Sequence, residues 1–253
     1  MSPATVKPNP KAKFWLFDFD NTIAHLEPEV DWAGGRRELE AFLRGEGVAD
    51  QIFAEIPRGN LPLYEALRAG LRESAAYVAR DGALTNAWGG NGEILLRNAS
   101  AIIERYELAG IESAEPTPGA IELLGALVAI GVTIAIVTSN SSRTVGQWLE
   151  RHQVSEVVST IVGRDSLLAL KPSPAMLLEA LRRCSGNPQE TVFIGDSEAD
   201  LGAARAAGIG FYGIAEVGAR RDRLAAAGAT EIFASPAALG KHLDLRDASI
   251  RKD

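Results

Sequence analysis

Phe14-Trp15-Leu16-Phe17 is an unbroken apolar run that stops abruptly at Asp18. A short run that is apolar at every position marks a strand buried on both faces. A carboxylate at its end faces the crevice where parallel sheets carry their chemistry. The pattern recurs: Val132-Thr133-Ile134-Ala135-Ile136-Val137 ends at Thr138, and Thr191-Val192-Phe193-Ile194 ends in Gly195-Asp196. Between these runs the apolar period lengthens to that of a helix. Ile121, Leu124, Leu127 and Val128 share one face after Pro118-Gly119, and Leu177, Leu178 and Leu181 share another. Farther along, residues 199–207 read as a helix closed by Gly208, 211–214 as a strand, and 220–227 as a helix closed by Gly228. A strand over 231–234 and a helix over 236–243 complete the series. Strands alternating with helices predict an α/β protein with a parallel sheet.

Residues 26–112 break that alternation. Their apolar residues keep helical spacing at Leu39, Phe42 and Leu43, at Leu63, Leu67 and Leu71, and at Ile102, Ile103 and Tyr106, with no convincing strand. Gly59-Asn60 and the Gly/Asn-rich stretch 86–92 read as turns between helices. The segment is therefore an expected helical insert, with hinges near 25–28 and 113–118, in a core made of residues 1–25 and 113–253. Residues 1–13 read as a frayed leader and the charged stretch from Asp244 as a tail.

Composition narrows the partners. A net charge of −7 and a pI near 5.2 give no electrostatic footprint for nucleic acid or an anionic membrane. No apolar run reaches the roughly 18 residues that a membrane span needs. A single cysteine, Cys184, cannot form an intrachain disulfide and fits a reducing cytoplasm. His152 and His242 read as surface residues, and Trp32, Trp88 and Trp148 as packing. Arg58, Arg68, Arg72, Tyr77 and Arg80 read mainly as a solvated helix face.

Four constellations carry chemistry. Asp18-Phe19-Asp20-Asn21-Thr22 sets two carboxylates just past the first strand. One can act as nucleophile and metal ligand while the other reaches a leaving oxygen; alone, the same residues make an Asx-type turn capping a strand. Thr138-Ser139-Asn140 offers donors to a phosphate oxygen or, with Ser141 or Ser142, an N-cap for the next helix. Lys171-Pro172-Ser173-Pro174 holds a lysine ahead of a helix start, although a lone lysine is ordinarily a solvated surface charge. Gly195-Asp196-Ser197-Glu198-Ala199-Asp200 supplies two more carboxylates, one helical turn apart if the helix starts at Ser197. That pair repels by itself and makes an oxygen-rich site suited to magnesium when a cation is present.

The order Asp-x-Asp-x-Thr, strand-terminal Thr, Lys-Pro, Gly-Asp-Ser-x-x-Asp resembles the four motifs of the haloacid dehalogenase superfamily and spans residues 14–240. The insert resembles the cap of the subgroup holding phosphoglycolate phosphatases, β-phosphoglucomutases and the dehalogenases. The resemblance implies a Rossmann-like parallel core with an inserted α-helical cap, and Asp18 as the nucleophile that becomes an aspartyl-phosphate. It implies Asp20 as general acid and then general base. Magnesium would be held by the carboxylates of Asp18 and Asp196 and the backbone carbonyl of Asp20, with Asp200 ordering its waters. Thr138 and Lys171 would bind the phosphoryl group, Ser139 and Asn140 would add donors, and Thr22 would support the loop. Dehalogenases lack the second aspartate, so Asp20 points to phosphoryl chemistry. Asn21 stands where the usual residue is Gly, and His25 where many relatives have Asp. The expected activity is magnesium-dependent hydrolysis of a small phosphorylated metabolite by a monomer or homodimer. A phosphomutase of the β-phosphoglucomutase kind and a non-catalytic phosphate-binding protein on this fold are the alternatives.

Overall fold

A computed structural model describes residues 6–48, 50–81 and 92–245. The chain divides into two compact units, Met1–Glu29 with Ile111–Asp253, and Val30–Gly110. In chain order, β1 (Phe14–Phe17) precedes α1 (Trp32–Gly45), α2 (Asp50–Glu55), α3 (Asn60–Asp81) and α4 (Gly92–Ile111). Alternation then resumes with α5 (Ala120–Ala129), β2 (Thr133–Val137), α6 (Ser142–Arg151), β3 (Thr160–Val162) and α7 (Ala175–Cys184). It ends with β4 (Thr191–Gly195), α8 (Glu198–Ala207), β5 (Gly210–Ile214), α9 (Ala219–Ala226), β6 (Ile232–Phe233) and α10 (Pro236–His242).

The six strands form one parallel sheet in the order β3-β2-β1-β4-β5-β6. The central strands read as apolar runs because both of their faces are covered: β4 and β5 are buried throughout, and β1 buries Trp15, Leu16 and Phe17. Complete burial of one such Leu, Ile or Phe side chain stabilises by about 1.5–3 kcal/mol. Trp148 of α6 is also fully buried. Its ring meets Phe19 edge-on at 5.4 Å, and its indole N–H donates to Ala114 O at 2.8 Å. The order of the strands reverses direction at β1, which lies between β2 and β4. That switch point leaves a crevice at the carboxyl ends of β1 and β4. Phe17 is level with Ile136 on one side and Ile194 on the other, so Asp18 emerges at this crevice.

The second unit is helical, with no strand among the described residues. Leu39 and Leu43 of α1 and Ala99 and Ile103 of α4 are buried at helical spacing, and Leu63 and Tyr64 of α3 are buried as well. Asp31 caps α1 by accepting from Gly34 N. No described helix is long and apolar enough to cross a membrane.

β3 was not expected, because Ser159-Thr160 dilutes the β-branched run from Val157 to Val162. His152 is half-buried and its ring lies 4.2 Å from that of Trp148, so it is not a surface residue. Arg68 is buried rather than solvated, because two of its nitrogens donate to Glu65 at 2.9 Å, one turn earlier on α3. Trp88, the turn residues 86–91, and the side chains of Arg72, Tyr77 and Arg80 lie outside the described residues.

Candidate active site

Asp18 follows β1 directly and is pinned by its own amide, which donates to Ile194 O at 2.8 Å. The turn after it closes through Asn21 in the left-handed region, at φ 57°, with Asn21 N donating to Ala24 O at 2.7 Å. Asparagine tolerates that conformation better than most side chains, which explains how it replaces glycine here. Asp196 follows β4, and Asp200 lies in the first turn of α8. Oxygens of Asp18, Asp196 and Asp200 lie within 4.8 Å of one another, and all three residues are buried.

Asp196 lies just outside α8, and Asp200 lies in its first turn. Ser197 is the N-cap and forms a capping box with Asp200, whose carboxylate also accepts from the Asp196 amide. Ser197 Oγ accepts from Asp200 N at 3.2 Å. Asp200 Oδ2 in turn accepts from Asp196 N at 3.2 Å, Ser197 N at 3.0 Å and Ser197 Oγ at 2.6 Å. Gly195 makes room for this: a Cβ there would stand 2.6 Å from the Asp200 side chain.

Lys171, on the loop before α7, is buried among these groups. Its Nζ lies 2.6 Å from Asp18 Oδ1 and 2.6 Å from Asp200 Oδ1, and it donates to Val137 O at 3.2 Å. Burial alone would lower its pKa, but Asp18 and Asp200 more than reverse that and raise it, so the ammonium stays charged. Burial raises Asp18 to about 6 against the opposing pull of Lys171. Burial raises Asp196 to about 8, helped by the charges of Asp200 and Asp18. An all-oxygen set of buried carboxylates of this kind suits a hard divalent ion.

Asp20 points elsewhere. Its Oδ1 accepts from Leu26 N at 3.1 Å and Glu27 N at 2.9 Å, so its carboxylate is held by the segment that follows and is not among the three clustered ones. Burial raises it to about 7, partly offset by those two amides, which leaves it able to hold or release a proton near neutrality. Thr138 and Asn140 are buried at the end of β2. Thr138 Oγ1 donates to Asn140 Oδ1 at 2.9 Å and accepts from Asn140 N at 3.1 Å. Ser141, not Ser142, caps α6. Thr22 is fully buried, and its carbonyl accepts from Thr117 Oγ1 at 2.6 Å. His25 is exposed and lines a cavity of about 330 Å³ with Asn21 and Arg220.

Two arginines at the site escaped the sequence reading. Arg164, fully buried, donates to Ser139 O at 2.7 Å and so braces the loop after β2. Arg220 at the start of α9 pairs with Asp196 at 2.8 Å. Neither belongs to a motif, and the strand before Arg164 is the unexpected β3, so no sequence signal marked either residue.

Residues 76–214 match the family described as haloacid dehalogenase-like hydrolase. A phosphoglycolate phosphatase of Pseudomonas putida is 34% identical over 199 residues, covering 79% of this chain and 68% of that protein. One from Rhodospirillum rubrum is 26% identical over 228 residues, covering 90% and 89%. Among solved structures, CbbY from Rhodobacter sphaeroides in complex with phosphate superposes with a TM-score of 0.58 at 23% identity. That match covers 92% of this chain and 99% of CbbY and speaks to the fold.

Proposed function

This chain belongs to the haloacid dehalogenase-like hydrolases, and from that premise we propose that it hydrolyses a small phosphorylated metabolite through a phosphorylated Asp18. It is a phosphatase by family, and phosphoglycolate, named for two of its relatives, is the first substrate to try. The observation that carries the reading is the meeting of Asp18, Asp196, Asp200 and Lys171 at the switch point of the sheet.

In the proposed reaction Asp18 attacks phosphorus, and the bond to the leaving alkoxide breaks as Asp20 protonates that oxygen. Asp20 then takes a proton from water, which opens the acyl phosphate and restores Asp18. Its raised pKa of about 7 suits both steps. Asp18 and Asp196, the backbone carbonyl of Asp20 and, in support, Asp200 are the groups we assign to magnesium. Bound there, the ion would supply positive charge against the incoming dianion. Lys171 offsets the remaining repulsion between the nucleophile and the phosphoryl oxygens, and Thr138, Ser139 and Asn140 supply donors to those oxygens. Swinging onto a phosphate requires Thr138 and Asn140 to exchange their present mutual hydrogen bonds.

Phosphate release from 2-phosphoglycolate and a panel of other phosphorylated metabolites, each with magnesium and with excess chelator, tests the reading. Release that needs the metal supports it. Transfer of the phosphoryl group to a second sugar hydroxyl without release would replace hydrolysis with mutase chemistry.

A further inference from the structure

We propose that Arg220 is an exchangeable counter-cation of the catalytic cluster, holding Asp196 when no divalent ion does and yielding it when one binds. The inference rests on the metal-dependent reading above.

Arg220 Nη1 lies 2.8 Å from Asp196 Oδ2, and Nη2 lies 2.9 Å from Glu27 Oε2. Glu27 Oε2 also accepts from Asn21 Nδ2 at 2.8 Å, so this carboxylate is anchored independently of Arg220. Lys171 spans Asp18 and Asp200, and Arg220 is the described ion-pair partner of Asp196. Once ionised, the three buried carboxylates against one ammonium leave two negative charges to be met. A guanidinium at Asp196 meets one of them, whereas a divalent ion shared by the same carboxylates meets both. The ion and the guanidinium therefore compete for Asp196, and the ion has the better charge match.

The two cations differ in their freedom to leave. The Lys171 side chain is 5% exposed, enclosed by the groups it serves. Arg220 is 38% exposed and faces the cavity of about 330 Å³, and it keeps Glu27, itself 54% exposed, as a partner after leaving Asp196. Losing Asp196 thus strands no buried charge on the arginine. In the metal-free protein the same contact spares Asp196 the full cost of an unpaired buried carboxylate, which would otherwise weigh against folding before the metal arrives.

The test is calorimetric titration of magnesium, without substrate, into the wild-type chain, Arg220→Ala, Arg220→Met and Arg223→Ala. Arg223 is on the same helix and pairs with Glu198 at 3.4 Å, so its removal takes away the same charge without touching Asp196. Exchange requires the magnesium Kd to fall at least about five-fold in both Arg220 variants and less than about two-fold in Arg223→Ala. It also requires Arg220→Ala to melt below the wild type in chelator, with the gap closing in saturating magnesium. Met keeps the aliphatic stem, so the pair of variants separates lost packing from lost charge. An unchanged or weaker Kd in the Arg220 variants, or an equal gain in Arg223→Ala, overturns the proposal and leaves the metal reading standing. No magnesium binding in any of the four proteins overturns both.

Discussion

Asp18 and Asp20 stand two residues apart yet face different surroundings, and this difference sets their roles. Asp18 is locked against Lys171, whereas Asp20 is held by two amides of the segment after it. Asp18→Asn keeps the shape and removes the nucleophile, so activity should fall on the order of 10³-fold or more with the melting temperature little changed. Asp20→Asn should cost about 10²–10⁴-fold on alkyl phosphates and less on p-nitrophenyl phosphate, whose leaving group needs no proton. Equal losses on the two esters would remove the general-acid role. The raised carboxylates also set a pH dependence. Burial holds Asp18 up at about 6 and Asp196 at about 8, so the folded chain keeps protons that the unfolded chain has released, and metal-free stability should fall as pH rises from about 4, the unfolded carboxylate value, to about 8. Magnesium bound to the ionised forms should therefore raise the melting temperature more near pH 8 than near pH 5. Equal increments at both pH values, read by scanning calorimetry, would contradict this.

At the scale of elements, the strands were legible because β1, β2 and β4 are covered on both faces and so spell themselves as apolar runs ending in polar residues. β3 was not legible, since two of its three residues are only partly buried and so short a strand leaves almost no pattern. The motifs placed Asp18, Lys171, Asp196 and Asp200 at one sheet edge. They could not show that Asp200 is fixed by a capping box with Ser197 and by the Asp196 amide, because that depends on where α8 begins. Arg164 and Arg220 were invisible for a related reason: their partners are distant in sequence, a carbonyl in one case and two carboxylates in the other. The capping box gives a test of its own. Ser197→Ala removes the acceptor for Asp200 N and a donor to Asp200 Oδ2, so it should destabilise by about 0.5–2 kcal/mol. It should also weaken magnesium binding, because Asp200 loses its hold. A variant that loses stability but binds magnesium as the wild type does would separate the cap from the site.

For the molecule as a whole, the described α/β unit contains every residue assigned to chemistry, while Val30–Gly110 is purely helical among its described residues. We propose the helical unit as a substrate-selecting cap, because it is spliced into the chain soon after Asp20 and rejoins it before β2. Replacing residues 30–110 with a short linker should level the ranking among metabolites while sparing some activity on p-nitrophenyl phosphate. An unchanged ranking would assign selectivity to the α/β unit instead. The central claim, that Asp18 accepts phosphate with a metal ion in attendance, is most directly tested by acid-quenching the enzyme during turnover of 2-phosphoglycolate and mapping covalent phosphate by mass spectrometry. The expected result is phosphate on the peptide carrying Asp18, present with magnesium and lost with excess chelator or in Asp18→Asn. Magnesium-independent turnover, or phosphate mapped to any other residue, would contradict the account.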